Sequence, residues 1–167
     1  MLIRPAAPED ALPVARVHVR SWQAAYRTLL PDDYLDHLRP EDRAQKYDFS
    51  GLATAKPYTI VAVEDGVIRG FATTAPSGDH DLSDYAELCA LYVDPERWGC
   101  GVGKALMSVA REHLSQSGFR NALLWVLVGN VRAERFYRLD GWMPDGMRRT
   151  ATVWGITVDE IRFRREL

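Results

Sequence analysis

Between Glu87 and Met107 the chain reads ELCALYVDPERWGCGVGKALM. An apolar run from Leu88 to Val93 stops at Asp94-Pro95, and glycines follow at 99, 101 and 103. An amphipathic pattern then begins. Val102, Ala105, Leu106, Val109, Ala110 and Leu114 share one face; Lys104, Ser108, Arg111 and Glu112 share the other. The spacing predicts a strand, a glycine-rich turn and a helix. The chemistry such a turn offers is anion binding. A helix's first turn carries unpaired backbone N–H groups and the positive end of the macrodipole, and glycines ahead of it remove the Cβ atoms that would hold an anion off. The result is a cradle for a phosphate or diphosphate, or else a tight turn with no ligand.

Two common phosphate motifs are excluded by spacing. G-x-G-x-x-G counted from Gly99 ends on Lys104, and counted from Gly101 it ends on Leu106. A P-loop ending at Gly103-Lys104 would need glycine where Trp98 stands and Ser or Thr where Ala105 stands. A second segment, ALLWVLVGNVRAERFYRLDGW (residues 122–142), has a buried-strand run from Ala122 to Val128 broken by Gly129. Asn130 sits where a helix N-cap belongs and Gly141 where a left-handed C-terminal residue belongs. The short helix between them places Ala133, Phe136 and Tyr137 on one side.

These two segments resemble the GNAT superfamily of acyl-CoA N-acyltransferases. In that family a strand ending L-Y-V-x-P leads into Q/R-x-x-G-x-G/A; here Leu91-Tyr92-Val93-Asp94-Pro95 is followed by Trp98-Gly99-Cys100-Gly101-Val102-Gly103. The family also carries N-x-x-A-x-x-F-Y-x-x-x-G-F/W, matched here by Asn130, Ala133, Phe136, Tyr137, Gly141 and Trp142. The two anchors cover residues 86–142. Ile3-Arg4-Pro5 and Ser21–Pro31 fit more loosely. One departure is plain: Trp98 stands where Gln or Arg is usual, which leaves anion binding to backbone N–H groups from Gly99 to Lys104.

The resemblance implies an α/β (α+β) fold over residues 1–167 as a single domain. Its sheet is mixed, mostly antiparallel, of six to seven strands splayed at the centre, with helices on both faces. It implies an acetyl-CoA-dependent N-acetyltransferase acting by direct transfer through a ternary complex. Leu91, Tyr92 and Val93 would lie along the pantetheine. Gly99, Cys100, Gly101, Val102, Gly103 and Lys104 would hold the diphosphate. Asn130, Ala133, Phe136 and Tyr137 would complete the coenzyme site. Tyr137 is the implied general acid toward the leaving thiolate; a phenol titrates near about 10 and is protonated at neutral pH. The plainer role is packing beside Phe136. Glu87, at the start of the central strand, is the candidate base, with a carboxyl that partial burial can raise toward neutrality. Its alternative is a pair with a surface arginine.

The acceptor is less legible. No Lys or Arg lies between Arg69 and Arg97, whereas Asp79, Asp81, Asp84, Glu87 and Asp94 do. This acidity fits a small cationic amine, or it is solvated loop charge. Trp22, Tyr26, Tyr34 and Tyr85 are candidates for the pocket wall or for the core. A peptide or protein acceptor, and a catalytically silent coenzyme A-binding sensor, are the competing functions. Asp79-His80-Asp81 is not expected to hold a metal, because adjacent residues rarely converge on one ion.

The elements must position these groups within 167 residues, enough for one cored domain. Hydrophobic residues make up 47% and the net charge is −2, giving no electrostatic case for nucleic acid. The longest apolar run has seven residues, far short of a membrane span. MLIRPAAPED lacks a signal-peptide core, so a cytoplasmic location is expected, with the two cysteines unpaired. A homodimer is left open. The pattern predicts strands at Ile3-Arg4, Tyr58–Glu64, Val67–Thr74, Ala86–Val93 and Ala122–Val128, and two more within Trp142–Ala151 and Thr152–Arg164. It predicts helices from Pro8 to about Ser21, one or two more up to Asp48, and others at Gly101–Ser117 and Val131–Asp140. Asp65-Gly66 is a hairpin turn.

Overall fold

The computed structural model of the chain describes residues 1–51 and 57–167. In chain order the elements are β1 (Leu2–Pro5), α1 (Ala11–Ala25), α2 (Asp32–Asp36), α3 (Pro40–Ala44), β2 (Tyr58–Glu64) and β3 (Val67–Pro76). There follow β4 (Ala86–Val93), α4 (Val102–Gln116), β5 (Asn121–Leu127), α5 (Val131–Leu139), β6 (Met143–Val153) and β7 (Ile156–Glu166). Short 3₁₀ turns stand at Pro8–Asp10, His80–Leu82 and Pro95–Arg97.

The sheet has seven strands in the order β1-β2-β3-β4-β5-β7-β6. Neighbours are antiparallel except β4 and β5. A parallel pair needs a crossover, and α4 supplies it. That pairing is brief: Ala86 opposes Ala122 and Glu87 opposes Leu123, after which the strands part. The expected splay is therefore present and begins at Glu87. Against β3, the register passes from Thr73–Ala90 to Thr74–Leu88, which leaves Cys89 without a partner. Such a bulge bends its strand and frequently sits beside an active site.

Alternation along the strands divides the interior. On one side, Ile60, Ala62, Ala72 and Leu88 meet α4 through Val102, Leu106, Met107, Ala110 and Leu114. On the other, Val61, Ile68 and Phe71 meet Val14 and Val17 of α1. Each larger side chain so buried contributes about 1.5–3 kcal/mol. Met107 is fully buried although the sequence pattern placed it on neither face. The β3–α4 approach is close enough that a Cβ on Gly70 would lie 2.9 Å from Leu106 Cδ1 and 3.0 Å from the Tyr92 carbonyl.

Two boundaries differ from the sequence reading. Helix α1 runs on to Ala25 because Trp22, 4% exposed, extends its buried stripe. The last hairpin turns at Trp154-Gly155, not near Ala151-Thr152. Both turn residues have positive φ (51° and 79°), while Thr152 and Val153 remain paired in β6. The β-branched pair suits a strand, and Gly155 is the residue that tolerates the turn.

Candidate active site

A cavity of about 630 Å³ opens where β4 and β5 part. Its β4 wall follows from hydrogen-bond alternation. Tyr92 opposes Phe71, and the Asp94 N–H donates to the Arg69 carbonyl at 2.7 Å, so these residues spend their backbone on β3. Leu91 and Val93 therefore turn theirs toward the parting. The Val93 carbonyl is already taken: the Ser21 hydroxyl donates to it at 2.9 Å and the Trp98 indole N–H at 2.8 Å. What remains for a ligand strand is the Val93 N–H and both groups of Leu91. Tyr92 also lines the cavity. Its ring stacks on His18 at 4.5 Å on the α1 side.

The glycine loop stands at the cavity mouth. Gly99 and Gly101 have φ of 78° and 86°, and Gly101 is the N-cap of α4. A Cβ built on either meets nothing within 4 Å. The first α4 bond is Ala105 N–H to the Gly101 carbonyl, so Val102, Gly103 and Lys104 have no intrahelical partner for their N–H groups. Those donors and the helix dipole fit a diphosphate. Cys100 does not fit the expectation: its N–H donates to the Arg97 carbonyl at 3.3 Å, and it does not line the cavity. The Val102 side chain is core. Gly103 admits Phe136, whose ring atoms would lie 3.4–3.5 Å from a Cβ there.

On α5 the cap is as the sequence pattern requires. Asn130 Oδ1 accepts from the Ala133 N–H at 3.2 Å, and Gly141 has φ of 87°. Asn130, Ala133, Phe136 and Tyr137 all line the cavity. Burial, then the neighbouring Tyr92, raises the Tyr137 phenol above its ordinary value, so it is a proton donor at neutral pH.

Glu87 lines the same cavity at the point of parting. Burial raises its carboxyl above the usual glutamate range; Asp79 and Glu160 add to this, and Arg149 and the Gly78 backbone oppose it. The other acidic residues of the 79–94 stretch do not reach the cavity. Asp79 and Asp81 converge on Arg162, which is 3% exposed and bonds them at 2.7–2.9 Å together with Asp145 at 2.7 Å. Asp94 is buried, pairs with Arg20 and Arg69, and caps the turn at Glu96. The acidity that faces the cavity is Glu87 and Glu160, and Glu160 bonds Arg149 at 2.7 Å.

A sequence model of the Acetyltransferase (GNAT) family matches residues 20–142. The chain belongs to that family. This GNAT acetyltransferase is similar to the uncharacterized N-acetyltransferase YuaI of Bacillus subtilis (strain 168). The two are 34% identical over 128 residues, 77% of this chain and 72% of YuaI. It is 28% identical over 142 residues to the mycothiol acetyltransferase of Acidimicrobium ferrooxidans, covering 85% of this chain and 42% of that longer protein. A GCN5-related N-acetyltransferase from Rhodopseudomonas palustris shares the fold at TM-score 0.78 and 22% identity, over 99% of this chain and 95% of that one. The enzyme is an acetyl-CoA-dependent N-acyltransferase.

The cavity lining of this acetyltransferase extends beyond the matched region. Arg149, Val153, Val158 and Glu160 of β6 and β7 line the cavity beyond residue 142. Sequence reasoning missed them, and missed Trp125, over whose ring the Arg149 guanidinium lies at 4.1 Å. Nothing in an apolar β5 run distinguishes Trp125; only the insertion of β7 beside β5 brings Glu160 and Arg162 to it. Of the four candidate wall aromatics, Trp22 and Tyr26 line the cavity while also packing the core. Tyr34 instead donates to the Trp154 carbonyl at 2.6 Å, and Tyr85 borders a separate shallow hollow.

Proposed function

We propose that this acetyltransferase moves an acetyl group to the primary amine of a small, cationic acceptor by direct transfer within a ternary complex. One observation carries the reading: Glu87 and Tyr137 line a single cavity, at the parting of two parallel strands and beside a loop of free amides. Acetyl-CoA supplies an activated thioester. PaiA from Thermoplasma acidophilum, solved in complex with coenzyme A, shares this fold at TM-score 0.71 and supports that donor. The amides of Gly101–Lys104 hold the diphosphate, Leu91 and the Val93 N–H pair with the pantetheine, and the Asn130 amide donates to it. Glu87 takes the ammonium proton, directly or through water, and Tyr137 protonates the departing thiolate. Cys89 also lines the cavity; though exposed at the cavity surface, its sulfur is crowded by protein, and this desolvation and then Glu87 push the thiol up to about 12. It stays protonated, which favours direct transfer over an acyl-enzyme.

Charge supports a cationic acceptor. The acidity facing this part of the cavity is Glu87 and Glu160, Glu160 is paired with Arg149, and among the described residues no guanidinium bonds Glu87. Trp22, Leu30, Val153 and Val158 would hold the acceptor's apolar part. A reducing cytoplasm suits the free Cys89 and Cys100. The test is thiol release from acetyl-CoA across a panel of amines. Tyr137→Phe should lower turnover by about 10²–10⁴ with coenzyme affinity intact. Tight binding with no release on any amine would make the protein a coenzyme sensor. Undiminished release by Tyr137→Phe would remove the acid.

A further inference from the structure

Position 98 is where the chain departs from its family pattern, and the structure shows what the indole does there. Its Nε1–H donates to the Val93 carbonyl at 2.8 Å, which fixes the ring at the end of β4. Upon the ring lies the Arg132 guanidinium, 3.4 Å from its centroid. Arg132 is the second residue of α5 and lines the cavity mouth beside Gly99. Among the described residues no carboxylate pairs with it. Arg97, at the same mouth, is already ion-paired with Glu64 at 3.0 Å. Lys104 and Arg135 line the mouth too, but no contact among the described residues fixes their side chains.

Among the described residues Arg132 is thus a cation without a counter-ion, partly stripped of water, in the first turn of α5, whose dipole disfavours it. Among the described residues Arg132 makes no hydrogen bond, so its N–H fork is free, and that fork matches the oxygens of a phosphate. We propose that Arg132, steadied on Trp98, is a phosphate-binding residue for the coenzyme, supplying from α5 the polar contact that position 98 no longer makes. The proposal rests on the coenzyme site described above. The phosphate is one of the diphosphate pair or the adenosine 3′-phosphate, and the two are separable.

Calorimetry with coenzyme A and 3′-dephospho-coenzyme A tests this on wild type, Arg132→Ala and the double variant Trp98→Arg/Arg132→Ala, with melting curves as the check of fold. Arg132→Ala should weaken coenzyme A at least about tenfold. An equal loss for the dephospho form assigns the diphosphate; no loss for the dephospho form assigns the 3′-phosphate. The double variant should regain most of the affinity, because it returns a guanidinium to position 98. Arg132→Ala binding both ligands within twofold of wild type overturns the proposal. Wild type that binds neither ligand overturns the coenzyme site itself.

Discussion

Asn130 offers the sharpest separation of structural from functional roles. Its Oδ1 accepts from the Ala133 N–H at 3.2 Å, which leaves the amide nitrogen as a donor. Helix α5 has nine residues and none of them is fully buried, so a cap matters to it. Asn130→Ala removes the cap and should cost about 1 kcal/mol, or about 2–4 °C of melting temperature at this size. Asn130→Asp keeps an acceptor and adds a charge that the helix N-terminus favours, so its stability should equal wild type or exceed it by about 0.5 kcal/mol. Binding should follow a different order. Both variants lose the donor, worth about 0.5–1.5 kcal/mol, or roughly two- to tenfold in affinity. Asp also adds a negative charge to the cavity that takes the diphosphate, which lowers affinity further. Stability should therefore run wild type or Asp above Ala, and affinity wild type above Ala above Asp. Scanning fluorimetry without ligand and calorimetry with coenzyme A read the two orders. Wild-type affinity in Asn130→Asp would reduce Asn130 to a cap. A melting loss in Asp as large as in Ala would refute the Oδ1 bond.

Gly101→Val should cost about 1–2 kcal/mol from its φ of 86° and also abolish measurable coenzyme binding. Gly118→Val, at a φ of 92° with open space around it, is the control that should lose similar stability and keep its affinity; equal binding by both variants would sink the cradle. Glu87→Gln should lose about 10²–10⁴ in kcat/KM and the rising limb of its pH profile, and a limb that survives places the base elsewhere. The same variant should change the pH dependence of stability. Because the folded carboxyl titrates above its unfolded value, Glu87 contributes fully below the unfolded value, and that contribution is lost as pH climbs through the folded one. Chemical denaturation should find Glu87→Gln level with wild type near pH 4 and more stable at pH 8.

Local chemistry made part of this protein readable from its residues alone. The β4–loop–α4 unit announces itself through apolar run, glycines and helical period. Asn130 and Gly141 bracket α5 by cap chemistry, and Asp65-Gly66 sets a two-residue turn between Glu64 and Val67. These depend on neighbours in sequence, so the sequence is enough. The parting of β4 from β5 came with the family pattern and matches the register, which places Glu87 where the two strands separate. The end of the cavity formed by β5, β6 and β7 was another matter. Asp79 and Asp81 look like free charge until Arg162, on a strand near the other end of the chain, neutralises them. Trp125 looks like one more core residue until β7 sets Arg162 opposite it and β6 lays Arg149 over its ring. Trp98 looks like a lost polar contact until α5 lays Arg132 on its face. Each of these is a long-range ion pair or stack, whose energy depends on which strands lie side by side. Strand order decides them, and no local pattern of residues encodes it.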